Sequence, residues 1–336
     1  MNSFLKYTCF FSALVIGGLV HSQDYHYAQY DASPLILNPA LIGDRADDQY
    51  SGVRLTSGYR DQRSNFTAGA ASYRSFAQGL DFSVGDRFAT GAFFSNTRSV
   101  NSIFSVSHFN YGVSYKIVGS NDRFQDKHQL SVGLQLGLLN NSFSPGDFTY
   151  DQQYSGSAVG GFDPSLPSGE VFQNTVKVQF SGNSGLAYKA NLYQGKLILN
   201  AGASIYNITK STERFNGALL PVPLHYNAHF SAAYKLDQRF TLMPQALFMY
   251  QSAAHELMLG SLLFYHLNDR NKVILGSSWR QKNAVIVQAG FTVGGLTFRT
   301  SYCFGTGYLA NYNNRGLEFS LTYINAKKTF AIRSAR

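Results

Sequence analysis

The stretch RGLEFSLTYI, residues 315–324, alternates with a period of two. Leu317, Phe319, Leu321 and Tyr323 fall on one side; Glu318, Ser320 and Thr322 fall on the other. Successive side chains of a strand point to opposite faces, so this is a strand with one apolar and one polar face. Working outward from it, the pattern recurs. In 296–304, Leu296, Phe298, Tyr302 and Phe304 oppose Thr297, Arg299, Ser301 and Cys303. In 284–293, Val285, Val287, Ala289, Phe291 and Val293 oppose Gln288, Gly290 and Thr292. The same holds over 225–236 and 129–138, while 255–267 carries apolar residues on both faces, among them Met258, Leu262 and Phe264. These runs are longer than the roughly 5–6 residues of strands in soluble domains. They match the roughly 9–11 residues that a tilted strand needs to cross a bilayer.

Composition points the same way. Aromatic residues make up 15% of the chain and charged residues only 14%, against a usual charged share of about 25%. There are 22 Tyr, 27 Phe and 31 Gly but one Trp. A chain rich in aromatics and glycine, poor in charge, and with its apolar residues interleaved among polar ones has the make-up of an outer-membrane barrel. The expected fold is therefore all-β: a transmembrane antiparallel β-barrel of about 14 strands. The strands are read at 50–60, 65–76, 88–96, 103–118, 128–142, 184–190, 195–206, 223–237, 238–250, 255–267, 271–280, 283–293, 296–304 and 315–324. An even count puts both ends of the barrel on the periplasmic side. The long interruptions 143–183 and 207–222 then face outward, and tight turns such as Gly294-Gly295 face inward. The connection 77–87, which reads as long and periplasmic, and those at 251–254 and 281–282, which read as short and external, depart from that asymmetry.

Residues 1–22 read as a secretory signal peptide: Lys6, an apolar run from Phe10 to Val20, then Val20-His21-Ser22 before Gln23. No later segment is apolar enough for a spanning helix. Cys303 is the only cysteine after residue 22, so no internal disulfide is available, and it reads as a wall residue. The net charge of +9 is spread singly through strands and turns, which does not make a nucleic-acid surface. The end, 325–336, is a basic tail.

Between the signal and the first strand, 23–49 contains SPLILNPALIG, residues 33–43. It is apolar, yet two prolines five apart suit neither a helix interior nor a central strand. In a barrel whose chain enters from the periplasm, it is a candidate plug. Leu35, Leu37 and Leu41 would pack on lumen-facing apolar groups, and Asn38 would form a turn before Pro39.

Chemistry is sparse. His225 and His229 lie four apart on a strand, roughly 13 Å from one another, too far to share a metal. His255 and Glu256 are strand neighbours pointing opposite ways, and read as a polar group at the rim. No nucleophile elbow, phosphate loop, dinucleotide fingerprint or cysteine metal site occurs, so neither an enzyme nor a cofactor is expected. Lys272, Arg280, Arg299, Lys235 and Glu318 are expected to face the lumen, because charge on the lipid face is costly. Candidates for partner contact are Phe148, Tyr150, Tyr154 and Phe162 in the loop 143–183, and Leu219, Leu220 and Pro221 in 207–222.

The opening QDYHYAQYDASPLILNPALIG resembles that of the PorP/SprF family of type IX secretion system outer-membrane proteins. The matching elements are Gln29-Tyr30, Pro34-Leu35, Leu37-Asn38-Pro39-Ala40, Gly43, and Arg54 through Tyr59-Arg60. The segments LLPVPLHYNAHFSAAYKLDQRFTLMPQALFMYQ and RGLEFSLTY are similar to the family's central and closing strands, with Glu318 at its usual acidic position. The family's Tyr-Asp pair stands here as Tyr302-Cys303, and its tryptophan after the first strand as Arg63. The resemblance implies a non-enzymatic barrel in outer-membrane lipid. Its partners would be a secreted surface adhesin, or that adhesin's C-terminal sorting domain, and periplasmic components of the secretion and gliding machinery. The alternative is a channel for a small or hydrophobic solute.

Overall fold

The computed structural model describes residues 27–44, 50–63, 72–85, 87–99, 104–119, 126–143, 149–156, 161–169, 176–210, 212–215, 218–252, 254–281, 284–306 and 315–326. The strands are β1 (Tyr50–Arg63), β2 (Ser72–Val84), β3 (Phe88–Ser99), β4 (Phe104–Gly119), β5 (Lys127–Phe143), β6 (Val176–Leu192), β7 (Leu197–Tyr206), β8 (Thr212–Phe215), β9 (Ala218–Pro221), β10 (His225–Lys235), β11 (Phe240–Gln251), β12 (Ala254–His266), β13 (Lys272–Arg280), β14 (Ala284–Val293), β15 (Leu296–Gly305) and β16 (Arg315–Ala326). All but β8 and β9 form one closed antiparallel barrel in which sequential strands are neighbours and β1 pairs with β16. The wall thus has the 14 strands expected from the alternation. Closure leaves no unpaired sheet edge, the condition for a sheet to stand in hydrocarbon.

Side-chain alternation gives the barrel two surfaces. Leu134, Leu136 and Leu138 on β5, Val285, Val287 and Phe291 on β14, and Leu317, Phe319 and Leu321 on β16 are exposed on the outside. Between them Gln135, Ile286, Gln288, Glu318 and Ser320 are buried inside. Met258 and Leu262 of β12 also point inward and are buried, which accounts for the two-faced apolar pattern of that strand.

Two strands are set differently from the sequence reading. The second runs over 72–84, not 65–76, so the supposed connection 77–87 is mostly strand, and the next strand begins at Phe88. Asp81 and the glycines around it look like turn punctuation. In the barrel Asp81 faces inward directly across from Arg54, and Phe76, Leu80, Phe82 and Val84 face lipid. The sixth begins at 176 rather than 184. Its polar run Ser181-Gly182-Asn183 resembles a loop but lies in the lumen, where Ser181 and Asn183 are buried and Asn183 Nδ2 donates to Asn110 Oδ1. The rim that carries the two ends of the barrel now has mostly short connections: 85–87, 193–196, 236–239, 267–271 and 294–295. The opposite rim has 144–175 and 207–224. The second of these is not irregular throughout, since β8 and β9 form a two-stranded hairpin in it.

Candidate functional site

Residues 27–44 lie inside the ring of strands. The segment is built from three short turns: a 3-10 turn at Tyr30–Ala32, one helical turn at Pro34–Leu37 and a 3-10 turn at Pro39–Leu41. Each proline opens its turn, where its missing N–H costs nothing. Asn38 joins the last two in an extended conformation and accepts the Ala40 N–H on its own Oδ1 at 2.9 Å. An apolar peptide unfit for a long helix or strand is thereby folded into a compact chain of turns.

The segment's apolar side chains divide into two contacts with the wall. Leu35 and Ile42 pack on Ala89 and Phe93 of β3, with Ile36 alongside. Ala28, Tyr30 and Leu37 pack on Leu247 and Met249 of β11, Met258 of β12, Ala284 and Ile286 of β14 and Cys303 of β15, with Leu41 alongside. Burial pushes the Tyr30 phenol above its ordinary range.

Polar contacts hold both ends. At one, the Glu318 carboxylate accepts the Ala28 N–H at 2.7 Å and the Gln29 N–H at 2.8 Å. The Gln29 side chain donates to Ser301 Oγ at 3.1 Å and accepts from the Ser320 hydroxyl. Asp31 pairs with Arg299 at 2.8 Å. At the other end, Asp81 takes Arg54 in two hydrogen bonds, at 2.8 and 2.9 Å, and accepts the Gly43 N–H at 2.6 Å. Arg54 also donates to the carbonyls of Leu41 and Asp44. Lys189 pairs with Asp44 at 3.1 Å. Paired and hydrogen-bonded, these buried charges meet the condition under which charge is tolerated away from water.

In the middle sits Asn38, fully buried. Its Nδ2 lies 3.0 Å from the Leu186 carbonyl, 3.2 Å from the Ala203 carbonyl and 3.1 Å from Nε2 of His229. The wall makes room for it with glycines. A Cβ on Gly133 would overlap the backbone of Pro39 and Ala40, and one on Gly185 would overlap the Asn38 amide. The segment can approach this closely only because these wall positions have no side chain.

Among the residues picked out from sequence, Pro34, Leu35, Leu37, Asn38, Pro39, Ala40 and Gly43 are all buried in the lumen. Arg299, Arg280 and Glu318 face inward and are buried. Lys272 is half-buried near the rim that carries the ends, its ammonium 4.9 Å from the centre of the Phe264 ring. Lys235 is exposed at that rim. Glu256 is not the rim group expected. It is 5% exposed, and its Oε1 lies 3.1 Å from Arg280 Nε, within a buried charge cluster completed by Arg60 opposite Glu318. His225 bonds its neighbour Asn227 and His229 bonds Asn38, so the two do different work. Among the described residues no group of three or more His, Cys, Asp or Glu could hold a metal ion.

Tyr154 and Phe162 form an isolated bridge in the long outer loop, their rings edge to face at 5.3 Å and both exposed. Tyr150 is half-buried and its N–H donates to Gln153, which ties the turn before Tyr154. Leu219, Leu220 and Pro221 lie on β9. Phe148, residues 1–26 and the tail from 327 on lie outside the described residues. Sequence reasoning passed over Arg54 as a lumen charge and Asp81, and set Glu256 at the rim. Their signal was a strand-by-strand register that places Arg54 opposite Asp81, and register is not visible in one sequence.

No curated protein sequence matches the chain. Among solved structures, the Ralstonia pickettii toluene transporter TbuX superposes with a TM-score of 0.52 at 12% identity, covering 87% of this chain and 92% of its own. The CymD monoaromatic hydrocarbon channel gives 0.51 at 12% identity, covering 88% and 93%. At that identity the likeness is one of fold, an outer-membrane barrel. The family model for the type IX secretion system membrane protein PorP/SprF matches residues 19–323. With the barrel closed, the segment bearing the Asn-Pro turn bound to its inner wall, and that match spanning nearly the whole length, the chain belongs to the PorP/SprF family of type IX secretion system membrane proteins.

Proposed function

We propose that this barrel is a non-enzymatic attachment and assembly component of the type IX system, assisting the secretion of large adhesins or their retention at the cell surface. In this reading residues 27–44 act as a plug, and the barrel works through its surfaces rather than through an open bore. The observation that carries it is the occupied lumen: the segment contacts strands from β1 round to β16 and is bonded at both ends. The outer loop supports a docking role, since Tyr154 and Phe162 are held exposed by local hydrogen bonds rather than packed away. Exposed aromatics on an ordered loop are the usual anchors of an interface. Links to periplasmic machinery would be made from the opposite rim.

The test is deletion of the gene followed by surface labelling of the largest adhesins and assay of the medium. Loss of labelled adhesin from cells, with its appearance in the medium or retention in the periplasm, is expected. Full attachment with normal secretion would reject the reading. The alternative, a channel for a small or hydrophobic solute, predicts porin-like conductance in planar bilayers or uptake that is lost on deletion.

A further inference from the structure

The inner wall grips residues 27–44 mainly by their backbone. The carbonyl of Leu35 accepts from Gln135, that of Ile36 from Tyr206, that of Leu37 from Ser204 and Asn227, and that of Ile42 from Ser114. The Arg54 guanidinium takes the carbonyls of Leu41 and Asp44, and the Glu318 carboxylate takes the amides of Ala28 and Gln29. Side chains that read the main chain of a turn are how a binding site recognises a peptide. A hydrophobic core, by contrast, is read through side-chain shape.

The wall is also complete without its occupant. Every wall strand is paired on both sides by other wall strands. Its groups facing the segment are largely ones that water would satisfy: Gln135, Ser204, Asn227, Ser114, Arg54 and Glu318. What water would not satisfy are two apolar patches, Ala89 with Phe93 and Leu247 with Met249, Met258 and Ile286. They sit either side of the position of Asn38, where Gly133 and Gly185 leave a recess shaped for an Asn-Pro turn.

We propose that the lumen wall is a peptide-binding site whose resident ligand is the chain's own segment 27–42, and that this segment leaves as a unit, pivoting at Gly43. The site then takes another polypeptide segment of the same chemistry: an Asn-Pro turn with apolar residues on both sides. The pivot follows from geometry. Gly43 stands at φ +73°, a conformation that favours glycine, and its N–H is tied to Asp81 on the wall. The arm from Ala28 to Ile42 is held by separable contacts, of which the Glu318 and Arg299 bonds are the outermost. This site does not depend on the anchoring role. Normal adhesin display in a deletion strain would leave it standing, and its failure would leave the anchoring role untouched.

The experiment uses the full-length protein, folded in detergent, with a site-specific protease sequence placed within residues 45–49. After cleavage, fluorescent synthetic peptide of residues 27–44 is added and its incorporation followed. One peptide per barrel is expected to enter while the barrel keeps its heat-modifiable mobility. A peptide carrying Asn38→Ala should compete at least about 10-fold less well, since it forfeits several buried hydrogen bonds. In protein carrying Glu318→Gln, exchange should be at least about 10-fold faster. The inference is overturned if no exchange occurs while the strands remain paired. A scrambled peptide entering as well as the native one would overturn it equally.

Discussion

Replacing Asp81 by alanine removes the acceptor on which one end of the lumen segment is built. Asp81 is wholly buried and Arg54 nearly so. The change deletes two charge-assisted bonds from Arg54 and one from the Gly43 amide. Breaking a buried ion pair by removing one partner costs about 3–5 kcal/mol, mostly from stranding the other charge. Here Arg54 keeps two acceptors, the carbonyls of Leu41 and Asp44. The cost therefore falls toward the low end, about 3 kcal/mol. Equilibrium urea unfolding in lipid vesicles would measure it, with a double-mutant cycle of Asp81→Ala and Arg54→Met. The double variant should recover part of the loss, because it leaves no lone buried cation and the two sites share one network. A cost for Asp81→Ala below about 1 kcal/mol, the range of a solvated pair, would refute the reasoning. It would mean that water already reaches this end of the lumen and that the segment is not fastened there.

Gly133→Val should displace the segment by filling the place of Pro39 and Ala40. The expected result is faster proteolytic loss of residues 27–44, with the barrel still migrating as a folded species. Leu136→Arg, at a lipid-facing position 72% exposed on β5, should cost about 2–4 kcal/mol in vesicle unfolding. Cys303 is buried in the apolar cluster that Tyr30 and Leu37 complete. It should resist a membrane-impermeant maleimide in the folded protein and label readily after Tyr30→Ala opens that cluster. If Cys303 in the unaltered protein labels as fast as in the variant, the segment does not cover it.

The lipid-facing half of this fold was legible because it obeys a strict local rule. Leu134, Leu136 and Leu138 announce a strand without reference to anything else in the chain. The lumen half obeys no such rule. Asp81 and the Ser181-Gly182-Asn183 run look like loop residues because their partners, Arg54 and Asn110, are brought to them only by register across neighbouring strands. Glu256 looks like a rim residue for the same reason until β13 sets Arg280 beside it. Gly133 and Gly185 read only as inconspicuous strand positions, when their meaning is the recess they leave for Asn38 and Pro39. The apolar Asn-Pro segment was legible as an anomaly, since two prolines exclude regular structure. Its three-turn form and the divided apolar contacts of Leu35 and Leu37 depend on a wall that folds around it.

Glu318 belongs to the last strand of the barrel, and the amides it accepts belong to the segment that precedes the first strand, a separation of 290 positions for Ala28. The same last strand pairs with β1, which carries Arg54. The seam between first and last strands is therefore bridged from inside by a third body. A chain cut short before β16 loses the partner for β1 and the clasp for Ala28 and Gln29 in one step. The last strand thus supplies both the closing edge of the wall and the clasp for the segment, and neither exists until β16 is made.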